Sequence, residues 1–362
     1  MSLLKLKSIF QEEAELRTED FIDRRPLHSN DSRFEFNVPV VGLDFANKTS
    51  LNQLITISIL FICFSLSTFG QILDLNKPLF SDEPFFNTNF IRLNKIKSIK
   101  GSRSTKKVKD IIRTKGLDFY YEFNAVGNLT MQISTFHDAR LRKDTNVINY
   151  YYDTNNNLEL IRKNDTYGYY SHEFSYDKLG GINKQTYCRE ENLCEAKNYF
   201  QLGNRYVIKS DSFSYQKLSN KQIQKTFYNN YKKPYKEQID YYNELGYLSE
   251  EYTKFLIGNK KHKTTYKHDE KGRVIEVITN EDLSTPNTKT EKYYYDDFDN
   301  ILEIKIYENE TYKISKQFLY DKTTFLLTAQ LIQEVETEFI KIIQYQYTFF
   351  NGESTNLSLE DN

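Results

Sequence analysis

The chain has 362 residues, with 49 Lys plus Arg against 50 Asp plus Glu, and its formal net charge of -1 excludes global attraction to nucleic acid or an anionic membrane. Tyr (29) and Phe (26) are abundant, Trp is absent, and Pro (6) and Gly (13) are scarce. With a mean hydropathy of -0.68, this composition excludes a thick oily core and suits two-faced β-sheet, where a tyrosine ring packs while its hydroxyl stays wet. So many aromatics also argue against disorder.

Residues 1–46 are charged and without periodicity, whereas residues 54–69 form an uncharged apolar run. Lys48 lies upstream, and Thr68-Phe69-Gly70 offers a small-x-small exit before Gln71. That layout predicts a signal peptide over 47–70, cleaved on export, with 1–46 an extension outside the true product. The run is shorter than the about 20 residues of a stable helical span. A retained signal anchor with a cytoplasmic tail, and a buried core segment, stand as alternatives. Membrane contact is expected only through an uncleaved 54–69 segment. Cys63 follows Ile62, not the small residue that a lipid-attachment signal requires.

Residues 71–114 are expected to be a linker and basic opening strands. Arg92, Lys95, Lys97, Lys100, Arg103, Lys106, Lys107, Lys109, Arg113 and Lys115 face a single acid, Asp110. One reading is an anion-binding strip centred on Lys95–Lys109, for acidic glycans, lipopolysaccharide or nucleic acid. The reading we favour has Ile96, Ile99 and Ile111 inward and the lysines guarding an exposed sheet edge; nucleic acid is not an expected partner.

From 115 to 350 a short pattern recurs at intervals of about 25 residues: an aromatic, Asp or Asn, two variable residues, Gly or Asn, a polar residue and an apolar one. Its turn positions are Asn124 and Gly127, Asp153 and Asn156, Asp177 and Gly180, Asn243 and Gly246, Asp269 and Gly272, Asp296 and Asp299, and Asp321. Degenerate copies lie at Tyr215–Asn220 and Tyr228–Pro234. Asp, Asn and Gly accept the positive φ of a tight turn. After the turn at 296–299, Leu302, Ile304 and Ile306 alternate with Glu303, Lys305 and Tyr307, a period of two. Each unit therefore reads as one hairpin, and the array as an antiparallel meander of about 16–20 strands packed on their neighbours. Residues 351–362 form a polar tail.

Cys188 and Cys194 bracket Arg189–Leu193, and a five-residue loop between two strand ends would bring them within disulfide reach. Export favours that bridge, and two free thiols are the alternative. The five histidines (His28, His137, His172, His262, His268) have no metal-ligand spacing. His268 sits in a repeat's aromatic slot, and Asp296–Asn300 reads as a turn because it lacks the ligand spacing of a calcium loop. No nucleophile motif, phosphate loop or cofactor signature is present.

The copies at His268–Val274 and Phe123–Leu129 resemble the YD repeat of the RHS and teneurin families, whose core reads Tyr-Asp-x-x-Gly-Arg/Asn followed by an apolar residue. Tyr176–Ile182 is close, and Tyr320–Leu326 lacks the glycine. The resemblance implies a wound β-rich shell, a toxic C-terminal domain inside it, and sugar binding in some members. This array is too short for a closed shell, and too little chain follows it for an enclosed toxin. The expected fold is all-β: an elongated twisted antiparallel meander of tandem hairpins, with curling into an open barrel or shell as a variant. The expected role is non-catalytic binding or scaffolding at the bacterial envelope, with a glycan or an envelope protein as partner. A polysaccharide-active enzyme and an RHS-related contact-dependent surface component are the alternatives.

Overall fold

The structure, a computed structural model, describes residues 71–75, 85–137, 143–165, 168–194 and 200–355. The signal-like segment and the 1–46 extension lie outside the described residues. Two short strands, β1 (Leu73–Asp74) and β2 (Phe85–Phe86), pair with each other ahead of one helical turn, α1 (Thr88–Leu93). The main sheet begins with β3 (Ile96–Lys107), β4 (Arg113–Phe123), β5 (Leu129–His137), β6 (Lys143–Tyr152), β7 (Leu158–Asp165) and β8 (Gly168–Tyr176). It continues with β9 (Ile182–Asn192), β10 (Leu202–Ser219), β11 (Gln222–Tyr228), β12 (Pro234–Tyr242), β13 (Leu248–Phe255) and β14 (Lys261–His268). It ends with β15 (Val274–Asn280), β16 (Lys289–Tyr295), β17 (Ile301–Glu308), β18 (Thr311–Tyr320), β19 (Leu327–Glu334) and β20 (Phe339–Phe349).

Strands β3 to β20 each pair antiparallel with the next, and β20 pairs with β3 from Phe339↔Lys107 to Phe349↔Ile96, so the sheet is a closed barrel. Closure corrects the expected open meander: joining the two end strands satisfies every ladder that an open sheet would leave bare. It also removes the edge that the lysines of β3 were expected to guard, since β3 has a partner on each side. Ile96 and Ile99 are fully buried as expected, but Ile111 is 71% exposed in the β3–β4 connection.

The seven turns from Asn124 to Asp321 gather at one rim, because each follows an even-numbered strand. Asn124, Asp153, Asp177, Asn243, Asp269 and Asp296 each open the same turn. The side-chain oxygen accepts backbone N–H groups two and four residues on, as Asp153 does from Asn155 and Asn157, both at 2.8 Å. The fourth residue takes a positive φ, from +67° at Asp299 to +91° at Gly127. Asn229 repeats this geometry at the opposite rim, with Lys232 at +57°. At Asp321, where the glycine is missing, the turn is one residue longer and the positive φ moves to Phe325. The degenerate copy at Tyr215–Asn220 makes no such turn, since β10 runs on to Ser219.

Tyrosines near the same rim fasten successive hairpins. Each donates its hydroxyl to the carbonyl of the first residue after the preceding turn: Tyr152 to Leu129 (2.8 Å), Tyr176 to Leu158 (2.6 Å) and Tyr215 to Ile182 (2.9 Å). Tyr295 does so to Val274 (2.6 Å), Tyr320 to Ile301 (2.8 Å) and Tyr347 to Leu327 (2.6 Å). Burial pushes the Tyr320 and Tyr347 hydroxyls well above their usual range, so they remain donors.

Side chains of a barrel alternate in and out. Ile99, Tyr121, Tyr345 and Tyr347, each at most 1% exposed, share the inner face. Eight strands leave an interior that side chains just fill, and eighteen enclose more. At the turn rim that extra space is taken by the N-terminal elements. Asn87 caps α1 by accepting from Asn89 and Phe90, and Phe90 and Ile91 are buried. Phe86 meets Tyr121 edge-on at 4.9 Å. Each such side chain contributes about 1.5–3 kcal/mol by leaving water. The apolar core therefore lies at the turn rim, and the rest of the inner face is mainly polar and aromatic, with aliphatic Val277 and Ile306 beside Glu291.

Candidate functional site

Three groups line the inner face, the first of them reaching the core through Phe174. On β8 and β9, His172 stacks on Tyr187 (4.6 Å between centroids) and Phe174 (6.4 Å), and its Nδ1 meets Gln185 Nε2 at 2.6 Å. Burial lowers the His172 pKa from 6.5 to about 4. The folded state thus favours the neutral ring, so the stability it contributes is complete above pH 6.5 and is lost as pH falls towards 4. Denaturation midpoints followed across that window should fall with pH in the wild type, and a His172→Phe variant should flatten the fall.

On β10, β11 and β12, three lysines share the inner face with Phe213, Phe227 and Tyr235. Lys209 pairs with Asp211 (2.6 Å), which also accepts the Tyr235 hydroxyl (2.7 Å). Lys236 lies 3.6 Å from the Phe227 centroid, and Lys225 lies 4.6 Å from that of Phe213.

On β12, β13, β14 and β16 the same face carries Asp240, Glu251 and Glu291. The Gln238 amide bridges Asp240 (2.8 Å) and Glu251 (3.2 Å). Tyr266 donates to Glu251, and Tyr293 to Glu291 at 2.8 Å. Burial, then the adjacent carboxylates, push both tyrosines far above their ordinary pKa. This wall therefore offers neutral hydroxyl donors, carboxylate acceptors and flat rings within a few residues. At the turn rim, a cleft of ≈ 430 Å³ lined by Glu159, Phe174, Asn155 and Lys178 opens between the turns at Asp153 and Asp177.

The outer face of β10–β17 is different in kind. Lys263 pairs with Glu250 (2.7 Å), Lys267 and Lys292 with Glu276, and Lys305 with Glu303 (3.5 Å). Ser210, Ser212, Gln224, Thr226 and Glu237 continue the polar surface. A lysine on a lipid-facing strand costs about 2–4 kcal/mol at the bilayer midplane. This arc of the outer face, β10–β17, suits water, whereas outward Ile133, Val147, Leu331 and Ile342 make the opposite arc more apolar.

Next to Phe200, the outer face of β7–β10 holds a buried polar cluster. Glu190, with its side chain 1% exposed, accepts from Arg162 Nε (2.7 Å) and Ser171 (2.8 Å), and Phe200 covers the Arg162 guanidinium at 3.9 Å. Arg205 bonds Glu173 (2.5 Å) and the Cys188 sulfur (3.0 Å).

No family model and no curated protein matches the chain. Among solved structures it is similar to a porin-like protein from Bacteroides uniformis at a TM-score of 0.35 and 12% identity, over 70% of this chain and 97% of that one. A porin-like protein from Bacteroides vulgatus gives 0.28 and 10%, over 60% and 96%. The Photorhabdus luminescens Tc holotoxin pore gives 0.22 and 13%, over 66% of this chain but 16% of that one. All three likenesses are too loose to speak to activity.

The residues singled out in the sequence do not form a site. The turn residues ring one rim; the opening Asp and Asn side chains are engaged by their own backbone, while Asp299 pairs with Lys271 and Arg273 and Asn156 accepts from Asn128. The basic strip runs the height of β3: Lys97 and Lys100 are exposed, Arg103 faces inward, and Lys107 and Lys109 lie at the far rim. Cys188 and Cys194 are free thiols. The hairpin expected between them does not exist: β9 runs straight through Cys188 to Asn192, and four extended residues already span about 13 Å. Burial pushes the Cys188 thiol up, which suits packing and not attack. His172 lies on β8 and His262 and His268 on β14; His268 stacks on Tyr247 (5.2 Å). Among the described residues no group of three or more His, Cys, Asp or Glu is arranged to hold a metal. The inner-face groups were missed because a period of two marks two faces without saying which one a closed sheet turns inward.

Proposed function

We propose that this protein is an exported, water-soluble β-barrel of the bacterial envelope that binds carbohydrate on its inner face and acts by binding, not catalysis. The observation that carries this reading is the contrast between the two faces. Rings interleaved with hydrogen-bonding groups, as in Gln238, Glu251, Tyr266 and Tyr293, line the inside, whereas ion pairs recur on the outside of β13–β17. A sugar presents an apolar ring face to an aromatic and a hydroxyl rim to amides and carboxylates, so this chemistry fits it. Purified full-length protein applied to a glycan array should bind a defined set of oligosaccharides. Phe227→Ala and Tyr266→Ala should each weaken binding about tenfold, which is about 1.4 kcal/mol. The outward Tyr252→Ser should leave it unchanged. Absence of binding, or equal effects from inner and outer changes, contradicts the reading.

The gathering of Asp240, Glu251 and Glu291 favours one second reading, a polysaccharide-active enzyme using two of these carboxylates as acid and base. Shortened sugar products, abolished by Glu251→Gln, would establish it in place of the first.

A further inference from the structure

Elsewhere on the barrel, strand lysines tend to answer glutamates: Lys263 with Glu250, Lys289 with Glu291, Lys305 with Glu303. Lys236 does not. It is half-buried on the inner face of β12, directly across from Phe227, and makes no ion pair among the described residues. Its nearest charged neighbours include two more cations, Lys225 and Lys209, and one anion, Asp211. Asp211 is engaged by Lys209 and by the Tyr235 hydroxyl.

We propose that Lys236, flanked by Lys225 and Lys209, is the subsite for the anionic substituent of the bound glycan, so that the ligand class is an acidic polysaccharide carrying carboxylate or sulfate groups. This rests on the carbohydrate reading and narrows it. The rings explain why the charge belongs to a sugar. Lys236 Nζ lies 3.6 Å and Lys225 Nζ 5.2 Å from the Phe227 centroid, and Lys225 Nζ also lies 4.6 Å from that of Phe213. A pyranose resting against this aromatic platform would hold its acid group within reach of the ammoniums. A bare inorganic anion would leave the rings unused.

Electrostatics agree. Burial first, then Lys225 and Lys209, hold the Lys236 ammonium down to about 8, while Asp211 pulls the other way. An anion brought to this point stabilises the charged form and draws a proton onto the fraction of Lys236 that is neutral. Acidic ligand should therefore bind best below pH 8 and more weakly above it. The basic residues of β3 offer no such focus, since they are spread along the strand and over both faces.

The test is calorimetric titration of the full-length protein with three oligosaccharides of equal length: an oligogalacturonate, a sulfated galactan and a neutral galactan. The acidic oligomers should bind at least about tenfold more tightly than the neutral one, with the advantage shrinking in high salt. Lys236→Gln should erase that advantage, and Lys236→Arg should keep it. Titrations at pH 8 in two buffers of different ionisation enthalpy should report proton uptake in the wild type and none in Lys236→Gln. If uronate alone, or sulfate alone, gains the advantage, that arm identifies the acid group. Equal binding of acidic and neutral oligomers, or a preference that survives Lys236→Gln, overturns the subsite and leaves inner-face binding standing. If all three fail to bind, the carbohydrate reading falls and the subsite with it.

Discussion

Glu190→Ala is expected to destabilise the protein by about 3–5 kcal/mol, the cost of removing one partner from a buried ion pair. The Glu190 carboxylate is almost wholly enclosed and is held by Arg162 at 2.7 Å and Ser171 at 2.8 Å. Its loss strands a guanidinium that is 12% exposed beneath Phe200, and leaves the fully buried Ser171 hydroxyl without its acceptor. Arg162 ties β7 to β9 across β8, so the damage should spread over three strands. Urea unfolding of the single variant and of Glu190→Ala/Arg162→Ala distinguishes the causes. The double variant should recover part of the loss, because the stranded charge goes with its partner. A single-variant effect below about 1 kcal/mol, the range of exposed ion pairs, would show that the cluster is solvated.

Gly127→Ala should cost about 2–4 kcal/mol, from backbone strain and forced displacement together. Gly127 has φ +91°, and a Cβ there would run into the Thr88 carbonyl oxygen, with Arg92 close behind. Thr88 opens α1, so the helical turn must lift away from the rim, loosening Phe90 and Ile91. Gly180 is the control. Its φ is +84° with nothing within 4 Å of an added Cβ, so Gly180→Ala should show backbone strain alone, about 1 kcal/mol. The difference between the two midpoints measures how firmly α1 seats in the barrel mouth. Equal losses would mean that α1 contributes nothing there.

Much of this architecture was legible in the residues. The column of Asn124, Asp153, Asp177 and their successors announced hairpins, because a short carboxylate or amide that binds the backbone two and four residues on leaves few other conformations open. Alternation in Ile301–Glu308 announced strands. Closure was not legible, because β20 and β3 are paired by residues more than two hundred positions apart, and local pattern carries no register over that distance. The bracketed loop between Cys188 and Cys194 is absent for a related reason: Arg189–Asn192 is wholly polar, so no apolar alternation marks it as the continuation of β9, and only the burial of Glu190 in the fold does. The inner-face groups were hidden in plain composition. Lys225, Lys236 and Lys263 are alike in sequence, and only the in–out alternation of a closed barrel separates a lysine beside Phe227 from one beside Glu250. α1 is a single turn, too short for any periodicity to reveal, although Asn87 ahead of it is a fitting cap.

The most direct test is hydrogen exchange on the amides of β3 and β20 in detergent-free buffer. A barrel that closes on itself and meets water with its charged side stays dispersed, and both strands are protected as strongly as β16 and β17. Rapid exchange along either strand, or a need for detergent to keep the protein in solution, would contradict it.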